Sequence, residues 1–147
     1  MSKVIKIGIA KENNQKIQEV EKVEILSGKG IIGDRHFQEH NKVKNQITLI
    51  ESENIDYYNN KFKTNYAYLD FRRNIVTRGI ELNNLVGKKL LIGNIEVEGH
   101  DLCGPCRHLE ETLKGKDIIK EFLRKGGLRC EILLSGQIKL GDKIKII

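Results

Sequence analysis

The chain has 147 residues, 39% hydrophobic and 31% charged, with 26 lysines and arginines against 20 acidic residues and a formal net charge of +6. That length suits one domain over residues 1–147, large enough to bury roughly 70% of the surface its unfolded chain would expose. No apolar run approaches the roughly 20 residues that cross a bilayer, and lysines interrupt the amino-terminal stretch where a signal peptide would be continuous. The 3 cysteines cannot make a full disulfide framework, so a reducing, cytoplasmic setting is expected. The lysines are dispersed and aromatic content is 5%, so the charge reads as solvated surface, with nucleic acid and membrane not expected as partners.

In chain order, Val4 to Ala10 alternates apolar and polar and predicts a strand, with a turn at Glu12-Asn13-Asn14. Glu19 to Leu26 predicts a second strand. Ser27 to His36 is a loop with Gly28, Gly30 and Gly33, where backbone can approach a ligand and Lys29, Arg35 and His36 add donors. Its spacing is not that of a nucleotide-binding P-loop, and a plain surface turn explains it equally well. Asn45 to Ile50 is a β-branched strand, followed by a helix with Ser52 as N-cap and Ile55, Tyr57, Tyr58 and Phe62 as core.

The segment from Asp70 to Ile80 holds Arg72, Arg73 and Arg78 around the short apolar strand Ile75-Val76. Alternation would send Arg72, Asn74 and Arg78 to one face, a plausible clamp for an anion because guanidinium groups bind phosphate bidentately. Charge alone fits a solvated edge strand better. Leu82 to Val86 predicts one helical turn. Lys88 to Ile92 and Ile95 to Gly99 predict a hairpin around Gly93-Asn94. Lys116 to Lys125 carries Ile118, Ile119, Phe122 and Leu123 at helical spacing, capped by Gly126-Gly127. Leu128 to Leu134, Ile138 to Leu140 and Lys143 to Ile147 complete seven or eight strands with two or three short helices. The pattern predicts a mainly β, largely antiparallel sheet or barrel rather than a doubly wound fold.

Chemistry concentrates in the turn from Gly99 to Leu109, with His100, Cys103, Cys106, Arg107, His108 and the sole proline, Pro105. Pro105 fixes its own φ and disfavours helix at Gly104, so the cysteines sit on a stiff turn. Structural zinc would have to complete its ligand set from His100, His108 and Cys130, since no second Cys-x-x-Cys is present. A thioredoxin-like pair would need a βαβ setting. A functional thiolate, its pKa lowered by Arg107 and His108, is the third reading, and two ordinary buried cysteines the fourth. Cys130, among Leu128, Ile132 and Leu134, reads as core.

Gly30-Ile-Ile-Gly-Asp-Arg-His36, Arg73-Asn-Ile-Val-Thr-Arg-Gly-Ile80 and Leu102-Cys-Gly-Pro-Cys-Arg-His-Leu109, in that order, resemble the MOSC domain, the C-terminal domain of molybdenum cofactor sulfurases. Gln46 to Ile50, Gly126 to Arg129, Ser135 to Ile138 and Gly141-Asp142 extend the likeness from about residue 5 to the C-terminus. The resemblance implies a pyruvate-kinase-type, β-barrel-like fold and an association with the molybdenum cofactor (molybdopterin). Cys106 corresponds best to the family cysteine that ligates molybdenum or carries sulfur. Arg73, Asn74 and Arg129 fall on matched cofactor-binding positions, with Arg72, Arg78 and His36 as further candidates for the pocket. The family's well-characterised reductases carry additional segments that this sequence does not show, which implies a stand-alone domain acting as a carrier or with a redox or sulfur-donor partner. The implied activity is reduction of N-hydroxylated substrates or sulfur transfer. The contrasting expectation is a non-catalytic module that binds the cofactor or a partner and uses its Cys-x-x-Cys turn structurally, with zinc.

Overall fold

The structure, a computed structural model, describes residues 2–13, 15–104 and 111–147. Strand is the commonest regular element. β1 (Lys3–Ile9), β2 (Gln18–Val20), β3 (Lys22–Leu26), β4 (Gly30–Ile31), β5 (Ile47–Glu51), β6 (Ile75–Arg78), β7 (Lys89–Ile92), β8 (Ile95–Leu102), β9 (Leu128–Leu134), β10 (Gly136–Lys139) and β11 (Ile144–Ile146) are joined by helix α1 (Ser52–Phe62), short helix α2 (Ile118–Glu121) and three 3-10 turns. Eight strands form one sheet in the order β11-β7-β8-β9-β5-β6-β1-β2, and β10, β3 and β4 form a second. The sheet ladder is not closed. The start of β1 nevertheless meets the turn before β11 through Val4 N–H to Asp142 O at 2.9 Å and a bridge between Lys3 and Lys143. The result is barrel-like.

Alternation places one core inside this curved sheet. Val4, Ile7, Leu49, Ile75, Val97, Leu128, Cys130 and Ile132 are all buried there. A second core lies on the outer face of β5 and β6, where Ile50 and Val76 meet Ile55 and Tyr58 of α1, with Phe71, Ile118 and Phe122. These two strands are therefore apolar on both faces, unlike their half-exposed neighbours. They also form the one parallel pair among the described strands, Leu49 opposite Ile75. Parallel neighbours need a long crossover, which α1 and the 3-10 turn Tyr68–Phe71 supply. Tyr58 and Tyr66 reach across to later chain, donating to the carbonyls of Lys116 and Leu113 at 2.6 Å each. These bonds fasten the chain after residue 110 to the helix.

Several expected boundaries shift for identifiable reasons. The predicted strand Glu19 to Leu26 divides at Glu21, because β2 pairs with β1 while β3 pairs with β10 and β4 in the other sheet. Ser52 is the first helical residue and fully buried. Glu51 is the N-cap, without a side-chain cap bond. Tyr57 is 51% exposed rather than core, its ring covered by the Lys125 ammonium 4.8 Å from the centroid. The helix predicted over Lys116 to Lys125 shrinks to α2, because Asp117 and Arg124 on either side adopt left-handed backbone (φ 55° and 64°).

Candidate functional site

The site lies where three chain segments converge beside the end of β8. The loop after β4 supplies Asp34, Arg35 and His36. Gly33, in left-handed backbone (φ 91°), turns it so that Arg35 N–H reaches Ala10 O at 2.7 Å. The Asp34 carboxylate is buried and accepts from Ala10 N–H at 3.1 Å, Arg35 Nη1 at 3.3 Å and His36 N–H at 3.3 Å. Asn41 braces the loop by donating to Lys29 O at 2.8 Å and His36 O at 2.6 Å.

The chain entering β6 supplies the second group. Arg72 adopts left-handed backbone (φ 63°) after the 3-10 turn, and β6 begins only at Ile75. The alternation expected to line Arg72, Asn74 and Arg78 on one strand face is thus broken at its start. Arg72 donates to the carbonyls of Gln15 and Asn13, at 2.9 and 2.8 Å. Arg73 Nε donates to Gly126 O at 2.8 Å. Asn74 is buried and spent on structure, accepting from Thr48 N–H at 3.2 Å and donating to Gly8 O at 3.1 Å. Arg78, at the far end of β6, donates to Tyr68 Oη at 3.1 Å and takes no part in the field of the other arginines.

The third group comes from β8 and β9. Cys103 follows β8, is 1% exposed, and donates its N–H to Gly127 O at 2.7 Å. Arg129 on β9 sits opposite Asp101. Among the described residues its guanidinium makes no hydrogen bond or close ion pair, so it is available to a ligand. The Gly126-Gly127 loop therefore holds both Cys103 and Arg73. Cys106 lies outside the described residues, as do Arg107 and His108. Cys130 is fully buried in the inner core, as its neighbours in the sequence predict.

Electrostatics binds these pieces into one unit. Burial pulls the Arg35 guanidinium below its ordinary value; Asp34 opposes this, while Arg72 and Arg73 add to it. His36 is lowered for the same first reason, with Arg35, Arg129 and Arg72 reinforcing and Asp34 resisting. It is therefore neutral at pH 7 and can donate or accept. Among the described residues, four guanidiniums thus share a field in which Asp34 and Asp101 are the opposing carboxylates. Mutual repulsion of this kind is relieved by an anion. Arg72 also borders an open cleft of about 620 Å³, lined in part by Lys16, Ile17, Glu19, Leu69 and Asp70 and by none of Arg35, Arg73, Arg129 or Cys103.

Burial raises the Cys103 thiol, and the charges of Arg73 and Arg129 pull it partly back, Arg73 also through a side-chain hydrogen bond. A folded-state pKa above the unfolded one gives stability that is complete below the unfolded value and lost as pH rises toward and through the folded value. Raising pH above about 9, the ordinary thiol value, should therefore destabilise the native chain more steeply than Cys103→Ala. Melting temperatures of both proteins between pH 7 and 11 check this. Parallel curves would contradict it.

The sequence reading selected Arg73, Arg129, Arg72 and His36, which the structure brings together, and Asn74 and Arg78, which it uses elsewhere. It named Arg35 only as a donor of the glycine loop and gave Asp34 no role of its own. Their signal was their place directly after Gly33, where a reversed backbone turns adjacent side chains inward.

The MOSC domain family profile matches residues 33–145. Among solved structures, the YUAD protein from Bacillus subtilis superposes with a TM-score of 0.83 at 16% identity, covering 99% of this chain and 96% of that one. YiiM from Geobacillus stearothermophilus gives 0.81 at 17% identity over 100% of this chain and 75% of that one. YiiM from Escherichia coli gives 0.71 at 15% identity over 97% and 70%. At these identities the structures establish the fold. No curated protein matches.

Proposed function

Because the chain belongs to the MOSC domain family, a molybdenum-cofactor-related family, we propose that it binds a molybdopterin-type cofactor through the arginine cluster and uses Cys106 as the sulfur ligand to molybdenum. The observation that carries this reading is the excess of guanidinium over carboxylate at Arg35, Arg72, Arg73 and Arg129, beside the cysteine-bearing turn. The residues fit the group. A phosphate-bearing pterin supplies the anion this cluster lacks, and a soft metal suits a thiolate.

Arg73 and Arg129 would hold the phosphate, Arg129 with a free fork and Arg73 with the donors left beyond its bonds to Gly126 and Cys103. Arg72 and Arg35 add charge from the rim while remaining tied to carbonyls and to Asp34. Neutral His36 would hold or pass a proton at its exposed imidazole edge. Burial keeps Cys103 a thiol at neutral pH, which leaves the thiolate role to Cys106. When bound, the cofactor supplies a metal centre able to change oxidation state, with reduction of an N-hydroxylated substrate as the activity and a redox protein as electron donor. The chain works in the cytoplasm in this reading. Among the described residues no helix is long and apolar enough to cross a membrane.

The test is pterin content. Protein purified from a host that makes the cofactor, then denatured and oxidised, should release close to one fluorescent pterin per chain. Protein from a cofactor-deficient host should release none. Equal, near-zero signals from both hosts would sink the proposal.

A further inference from the structure

A second group of ionisable side chains occupies the outer face of β8 and β9. Glu98 and His100 lie two residues apart on β8, and Glu131 stands directly opposite Glu98 on β9. The ladder shifts register between Gly99 and Asp101, so His100 is the extra residue of a bulge, a device that re-aims a side chain. Its Nε2 comes within 2.8 Å of Glu131 Oε1, with both side chains 27% exposed. One donor atom from each of the three residues lies within 4.8 Å of the others, and no other set of three metal-ligating side chains among the described residues does so.

Two features go unexplained if this is ordinary surface. Carboxylates directly opposite on adjacent strands repel. Glu98 also makes no hydrogen bond or ion pair among the described residues, although Lys89 stands opposite it on β7. A bound cation answers both. The donor set decides which: two carboxylate oxygens with an imidazole nitrogen suit a borderline transition metal, whereas calcium and magnesium prefer oxygen alone. Ligand atoms about 2.0–2.2 Å from zinc lie no more than about 4.4 Å apart, so small side-chain rotations close the site. We propose that Glu98, His100 and Glu131 bind one divalent transition-metal ion, with zinc the best fit and water in its fourth position. This site is independent of the cysteine turn and of the cofactor reading.

Cobalt(II) titration of the whole chain, followed by zinc displacement, tests it. One cobalt per chain should bind, with a visible spectrum lacking thiolate-to-metal charge transfer. Glu98→Gln and His100→Ala should each weaken binding at least about tenfold, while Cys103→Ser and Cys106→Ser leave it unchanged. Melting curves without metal establish that each variant is folded, and Glu98→Gln preserves the side-chain shape. No saturable binding, or a thiolate band that disappears in Cys106→Ser, would overturn the proposal.

Discussion

Arg73→Ala combined with Arg129→Ala should cut the pterin retained per chain about 100-fold or more. A charge-assisted hydrogen bond contributes about 1.5–3 kcal/mol, and each 1.4 kcal/mol is tenfold in affinity. Losing two such partners in a half-buried site therefore exceeds two orders of magnitude, and the lost charges cannot be made up by water. Arg73→Lys should recover only part of the loss. Lysine restores the charge but neither the two-pronged geometry nor the bond from Nε to Gly126 O at 2.8 Å. Arg78→Ala should change retention little, because that guanidinium is engaged with Tyr68 at the other end of β6. Retention unaffected by the double substitution, in protein that still melts cooperatively, would place the phosphate elsewhere.

Gly127→Ala should leave little folded protein. Gly127 has φ of 117°, which side-chain-bearing residues rarely adopt, and a β-carbon there would sit 2.1 Å from the Leu49 carbonyl oxygen. That oxygen is β5 backbone in the middle of the main sheet, so it cannot step aside as a flexible side chain would. Strain and clash together cost upwards of about 4 kcal/mol, against a total stability of about 5–15 kcal/mol. The same loop accepts the Cys103 N–H and the Arg73 guanidinium, so surviving molecules would also lose the site's alignment. Gly104→Ala is the matched control, since none of the described residues lies within 4 Å of its added carbon. Thermal unfolding of the two variants should differ by more than about 10 °C. Near-identical curves would show that the loop yields more easily than its geometry allows.

The contrast between these glycines explains which parts of the architecture could be read from sequence. Alternation in Val4 to Ile9 and Leu128 to Leu134 announces strands because one face is dry and the other wet. β5 and β6 lack that contrast, since Leu49 and Ile50 are both buried, and only the crossover through α1 makes them parallel neighbours. The division at Glu21 leaves no local trace, because a strand pattern does not say which sheet it will join. In the site, residue types were legible but convergence was not. Arg73 meets Cys103 through the carbonyls of Gly126 and Gly127, and Arg72 reaches the rim of the cluster through a left-handed backbone that arginine seldom adopts. Asn74 looked like a ligand donor and is instead the bracket that ties β6 to Thr48 and Gly8. The MOSC motifs mark stretches of chain, and the fold decides which of their described side chains share a field.

Cys103, the half of the Cys-x-x-Cys motif that the structure describes, is buried. Cys103 is held as a thiol by its burial, with the charges of Arg73 and Arg129 moderating the effect and its sulfur accepting from the Arg73 side chain.

Molybdenum content by elemental mass spectrometry, compared among wild type, Cys103→Ser and Cys106→Ser from a host that makes the cofactor, tests the central claim most directly. The account predicts close to one molybdenum per chain in the wild type, most of it retained in Cys103→Ser, and almost none in Cys106→Ser. Molybdenum that survives in Cys106→Ser, or is absent from all three proteins, would contradict it.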